Sequence, residues 1–448
     1  PTATYNFGSN INITGITTGT SLTSWPSSIG GLTWNCPSQT SDFSIGSTVT
    51  TINGNLNIVS TGSGTFQTGT TTSTTVAIAG NASLAAGTWN MSGNIISIAG
   101  TFTQTGGTFL KTSTSTQSLS AQSFNQGASG VINAAATAGL WTITATSGDA
   151  TFNGTINAGT SGGTSIAFTH ASNNQTLTTN TITDRFGLTI NKAAGRVILA
   201  NSVTLGSSNA LALTSGTLDL NNNTLSVNGT VTGSGTIRGS STSNLSIGGT
   251  GALGTLNFDQ TTDGTTNVLN NFTINRTTSG TVTLGNKLVV SGVLTQTDGI
   301  LDINNNTLAI NGTVTAGSGS LRGSSTSNIS IGGTGALGTL NFDQTTDGTT
   351  NVLNNFTINR TTSGTVTLGN KLVVSGILTQ TDGILAINNN TLAINGTVTA
   401  GSGSLRGTST SNLSIGGTGA LGTLNFDQTT DGTTNVLNNF TINRTTSG

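Results

Sequence analysis

The residues best suited to chemistry in this chain are a pair of carboxylates, and the pair comes in three copies. Asp259 and Asp263 bracket the stretch Asp-Gln-Thr-Thr-Asp-Gly, which recurs at Asp343 and Asp347 and again at Asp427 and Asp431. Two carboxylates at this spacing can offer oxygen ligands to Ca²⁺ or act as an acid/base pair. Catalysis needs one tuned constellation in a pocket, whereas this pair is repeated along the chain, and no Lys or His stands close to it in the repeat. A polar turn closing a long coil is the plainer reading. We therefore expect no catalytic residue, no cofactor, and at most a weak Ca²⁺ site at these six aspartates.

Other candidates are weaker still. Arg276, Arg360 and Arg444 recur at one position of the repeat, and Arg238, Arg322 and Arg406 at another. Such periodic cations can pair with Asp along the chain or contact a neighbouring subunit; solvated pairing is the expectation for both series, and such pairs stabilise little. Asn304-Asn305-Asn306 and its copies suit a corner turn better than an amide ladder, because they occur once per repeat. Sequons such as Asn244, Asn271, Asn275, Asn305 and Asn311 arise by chance in a chain this rich in Asn, Ser and Thr, so they indicate glycosylation only weakly. His170 and Cys36 are each single, which favours packing over ligation.

Composition sets the frame for these residues. Charged residues make up 6% of the 448, against about 25% in ordinary soluble proteins. Glu is absent and the net charge is −1. Helices lack their usual surface fillers, and nucleic acid lacks a basic stripe to bind. One cysteine excludes a disulfide framework, and no apolar run is long enough for a membrane-spanning helix. Disorder is excluded as well, because hydrophobic residues reach 32%, mostly as Val, Ile and Leu in short alternating runs.

Repetition supplies the elements that must position these residues. Residues 240–323 and 324–407 form two 84-residue copies that differ only at Leu245/Ile329, Val293/Ile377 and Asp302/Ala386. Residues 408–448 begin a third copy, and residues 188–239 resemble a diverged one. Each copy divides into four segments of about 20 residues, the length of a single solenoid coil. Leu301, Ile303, Leu308, Ile310 and Val314 fall at strand spacing, and the first four, with their copies Leu385, Ile387, Leu392 and Ile394, should point inward. Asn-Asn-Asn, Asn-Gly and Gly-Ser-Gly between them suit corners. The pattern predicts a right-handed parallel β-solenoid of about 20 coils, stacked roughly 4.8 Å apart, so that four coils rise about 19 Å and the whole chain about 100 Å. Residues 46–187 share this grammar without the period. Residues 1–45, with Tyr5, Trp25, Pro26, Trp34, Cys36 and Pro37, read either as an N-terminal cap or assembly surface, or as irregular coils with larger side chains.

The stretch Ser215-Gly-Thr-Leu-Asp-Leu-Asn-Asn-Asn-Thr-Leu-Ser-Val-Asn-Gly-Thr230 resembles coils of large secreted bacterial β-helix adhesins, of the filamentous haemagglutinin-like and Bacteroidota repeat types. The resemblance implies an extracellular, rod-like surface protein used for attachment or coating, with surface glycans or a neighbouring cell as partner. A non-enzymatic structural or adhesive fibre is accordingly the expectation, without nucleic-acid partners or a transmembrane segment. An ice-binding threonine solenoid and a β-helix polysaccharide-active enzyme are the alternatives. Ice binding needs Thr-x-Thr at one coil position, whereas Thr281-Val-Thr283 opens its coil and Thr313-Val-Thr315 falls late in the next. Pro1 is not followed by a signal-peptide pattern, which suggests a processed, secreted chain. Gly448 closes a coil in mid-repeat, so we expect self-association into filaments through residues 1–45, the final coil, or both.

Overall fold

A computed structural model describes residues 8–19, 25–69, 74–113, 116–134, 141–157, 164–182, 186–208, 210–278 and 280–445. Tyr5, Thr446 and Gly448 lie outside the described residues. The described residues form short strands joined by turns, with no helix and hence none long and apolar enough to cross a membrane. Pairing is parallel throughout, each strand stacking on its counterpart one coil earlier. Short alternating runs give the strands one inward residue in two. Glycines and left-handed asparagines turn the corners; Asn304 and Asn305, for example, have φ of 47° and 60°. The fold is the expected all-β parallel solenoid, with about 17 turns in place of the expected 20 or so. Two compact units compose it: residues 1–219 with 232–235, and residues 220–231 with 236–448.

In the first unit the core is rich in rings. Trp34, Trp89, Trp141, Phe66, Phe102, Phe109 and Phe152 are all fully buried, and neighbours such as Trp34–Phe43, Trp89–Phe109 and Phe109–Trp141 have centroids 4.7, 4.9 and 5.8 Å apart. Leu32–Asn35, which carries Trp34, is sandwiched between Ile11–Thr14 and Leu56–Ser60. This part of the tryptophan-bearing N-terminal stretch is thus built as ordinary coils.

Aliphatic columns on three faces make the core of the second unit. Phe272, Leu294 and Val314 stack on the first face, Val282, Leu301 and Leu321 on the second, and Leu288, Leu308 and Ile329 on the third. Copies do not stay on their faces. Phe356, the equivalent of Phe272, stacks on Ile329 of the third face. Val366, the equivalent of Val282, pairs with Gly338, whose neighbour Leu337 accepts a bond of 2.6 Å from the Val314 N–H on the first face. From Thr281–Leu284 to its copy Thr365–Leu368 the chain passes through eleven strands, with three strands to a coil. The 84-residue copy therefore spans three and two-thirds coils, a third of a coil short of the four expected. Successive copies step round by one face while rising about 18 Å. Sequence segmentation missed this because the loop Asp343–Asn351 lengthens one coil without adding a strand, delaying the pairing of Gly338 with Val366 relative to that of Leu301 with Leu321.

Candidate functional site: the repeated aspartate loop

Asp259 sits at the base of the loop and Asp263 at its tip. The chain needs this excursion because Thr262–Thr266 make a tight turn, with the Thr265 and Thr266 N–H groups donating to Thr262 O at 3.0 and 2.9 Å. Asn267 knits the loop shut, its Nδ2 donating to Gln260 Oε1 at 3.0 Å and Asp263 Oδ1 at 2.9 Å.

In the first two pairs the two carboxylates look to different coils. Asp259 accepts from Arg238 Nη1 at 3.1 Å in the preceding coil and from the Thr261 N–H at 2.8 Å. Its copies Asp343 and Asp427 accept from Arg322 Nε and Arg406 Nε, each at 2.6 Å. Asp263 and Asp347 instead accept from Lys287 Nζ and Lys371 Nζ, each at 2.6 Å and each from the following coil. Asp431 accepts from Asn435 Nδ2 at 2.8 Å and the Gly432 N–H at 3.0 Å. The lysine contradicts the expectation that no base stands near the pair; it is distant in sequence and only one coil away in space.

Electrostatics follow from these partners. Burial by itself would raise the Asp259 and Asp343 carboxyls, yet the bonds from Thr261 and Arg238, or from Thr345 and Arg322, hold both below the usual carboxylate range. The Lys287 ammonium and the Asn267 amide hold Asp263 down likewise. Asp259, Asp263, Asp343, Asp347 and Asp427 thus each serve as one half of a coil-to-coil ion pair, and the first two loops tie their own coil to the coils on either side. Among the described residues no three His, Cys, Asp or Glu side chains gather as a metal would require.

The arginines divide into two kinds. Arg238, Arg322 and Arg406 pair with aspartate as the spacing suggests. Arg276, Arg360 and Arg444 do not; their guanidinium groups bind main-chain carbonyls, and Arg276 and Arg360 are fully buried. Cys36 is buried with its thiol facing Ile13 O, and half-buried His170 accepts, at Nδ1, from the N–H groups of Ser172 and Asn173.

Two further alignments escaped the sequence because they depend on register. Asn355 Nδ2 and Asn439 Nδ2 donate to Asn328 Oδ1 and Asn412 Oδ1 at 2.9 and 2.8 Å, so an amide pair forms away from the Asn-Asn-Asn corners. Ser226, Ser246, Thr273, Thr295 and Thr315 stack as one outward column. Knowledge of which coil is long would have revealed both.

No family model matches the chain, and neither the curated proteins nor the solved structures contain one similar to it.

Proposed function

We propose that the protein is a non-enzymatic, extracellular structural or adhesive fibre, whose solenoid coils build a rigid rod at or beyond a cell surface. One observation carries this reading: most of the repeated charged side chains of the copies are spent joining one coil to the next, as at Arg322–Asp343 and Lys371–Asp347. Adding a copy adds length and stiffness, and both full copies carry the same two kinds of joint. Self-association belongs to the proposal. Phe440 and Ile442 are exposed on the strand Asn439–Ile442, and a further coil of the same pattern, from this chain or a second copy, would cover them as Leu378 covers Phe356. Surface glycans or a neighbouring cell are the partners that suit a sparsely charged, hydroxyl-rich exterior. Electron microscopy of the purified protein tests the reading: thin rods or filaments are expected, and compact globules would overturn it.

A second reading has one observation in its favour. The Ser226–Thr315 column is a row of hydroxyls at strand spacing, as an ice-ordering surface requires. The row is a single residue wide, since the column beside it reads Thr224, Asn244, Asn271. The next copy's row, Ser330, Thr357, Thr379 and Thr399, lies on another face. Thermal hysteresis in a freezing assay would favour this reading over the fibre.

A further inference from the structure

Arg276, Arg360 and Arg444 each reach across three consecutive coils. Arg360 Nε donates to Gly335 O at 2.7 Å and Nη2 to Thr334 O, both one coil back. Nη1 donates to Gly332 O in that same coil and, at 3.0 Å, to Gly312 O two coils back. Arg276 repeats the pattern on Gly251, Thr250, Gly248 and Gly229, and Arg444 on Gly419, Thr418, Gly416 and Gly396. The Gly-Gly-Thr-Gly segment is shaped for this. Gly333 has φ of 84°, and a Cβ there would lie 1.9 Å from Asn311 O, so only glycine lets the carbonyls turn onto the guanidinium.

A planar five-donor cation suits such a cage, because its donors diverge in fixed directions and hold several acceptors at once. Ordinary ladder bonds join one coil to the next and can be peeled one at a time. The arginine bonds must break together, in a site that is buried at Arg276 and Arg360 and half-buried at Arg444, before the strand carrying the arginine can leave. Lys192 makes the contrast. It occupies the equivalent position one repeat before Arg276, and its Nζ donates to His170 O at 2.9 Å and Gln175 Oε1 at 2.8 Å, both in the coil immediately before.

We infer that Arg276, Arg360 and Arg444 are mechanical stitches, each locking three coils, so that a chain under tension opens in blocks of one repeat. This deepens the structural-fibre reading and has a readout of its own. The test is single-molecule stretching of the full chain held at both ends. The expected record shows releases of about 84 residues, or roughly 280–300 Å of contour length each, with the barrier at Lys192 weaker than those at the arginines. Arg360→Met should merge two neighbouring releases into one of about twice the length. If that variant does not fold by circular dichroism, Arg360→Lys should keep the spacing and lower the force at one step. Release coil by coil, in steps about a quarter as long, would overturn the inference, as would an unchanged record in a folded Arg360→Met. Rods seen by microscopy with such a record would remove the stitch and leave the fibre standing.

Discussion

Residues 1–219 set tryptophan and phenylalanine rings among the aliphatics of their core, and residues 236–448 fill theirs mostly with Leu, Ile and Val. All four tryptophans belong to the first region and none to the second. The first has no exact period; the second copies itself with three changes in 84 positions. The difference teaches what a solenoid core demands. Large rings pack in offset pairs that depend on each neighbour's shape, as in Trp89 against Phe102 and Phe109, so each such coil is particular to its place. Aliphatic columns tolerate duplication, and here they tolerate a copy that lands on a different face. Buried amides differ too. Gln104 and Gln126 in the first region bond main-chain carbonyls of later coils, whereas the amides of Gln296 and Gln380 in the second meet no protein partner.

The largest effects should come from the cores. Trp89→Ala is expected to cost about 3–5 kcal/mol, and Ile387→Ala about 2–5 kcal/mol confined to nearby coils. Tryptophan fluorescence follows the first region alone and far-ultraviolet circular dichroism follows both, so denaturant unfolding read by the two probes assigns each loss to its region. Equal displacement of both probes by Ile387→Ala would erase the distinction.

Next come the glutamines. Gln104→Leu strands the carbonyls of Gly107 and Val131 and should cost about 1–3 kcal/mol, whereas Gln380→Leu removes two unpartnered polar atoms and should be neutral or stabilising. Thermal melts of the two variants measure this, and a large loss in Gln380→Leu would break the comparison.

Much of this was legible beforehand. Alternation at Leu301, Ile303, Leu308 and Ile310 placed all four in the core, and Asn304-Asn305-Asn306 announced a corner. What stayed hidden was register. Lys287 reaches Asp263 and Arg360 reaches Gly312 only once the coil lengths are known, and a surface excursion such as Asp343–Asn351 hides a missing strand from any count of segments. Composition also obscured Arg360, since charged residues are read as exposed unless a cage of carbonyls is visible.

Smaller effects should appear with pH, in an acid window for the second region and an alkaline one for the first, with stability rising with pH in both. Asp259, Asp343 and Asp427 have depressed carboxyls, so their contribution is present above the ordinary value of 3.8 and lost as the pH falls below it. Lys111 and Lys192 in the first region are lowered by burial from 10.5. There the unfolded chain holds protons that the folded one has released, so stability rises as the pH climbs towards 10.5. Acid should therefore weaken the second region first, and mild alkali should strengthen the first, in melts read by the same two probes. The smallest effect is at the surface. Lys371→Met breaks an exposed pair with Asp347 and should change stability by less than about 1 kcal/mol; a larger loss would mean the loop tip carries more of the coil joint than its exposure suggests.

The stepping of copies round three faces is open to direct trapping by disulfides. Thr339 and Thr367 are paired outward neighbours on adjacent strands, within the separation a disulfide can bridge. Thr357 would take the place of Thr367 if a copy were four whole coils. Native Cys36 is buried and does not compete. On mild oxidation Thr339→Cys with Thr367→Cys should close an intramolecular disulfide, and Thr339→Cys with Thr357→Cys should remain reduced. The reverse outcome would contradict the three-and-two-thirds-coil repeat.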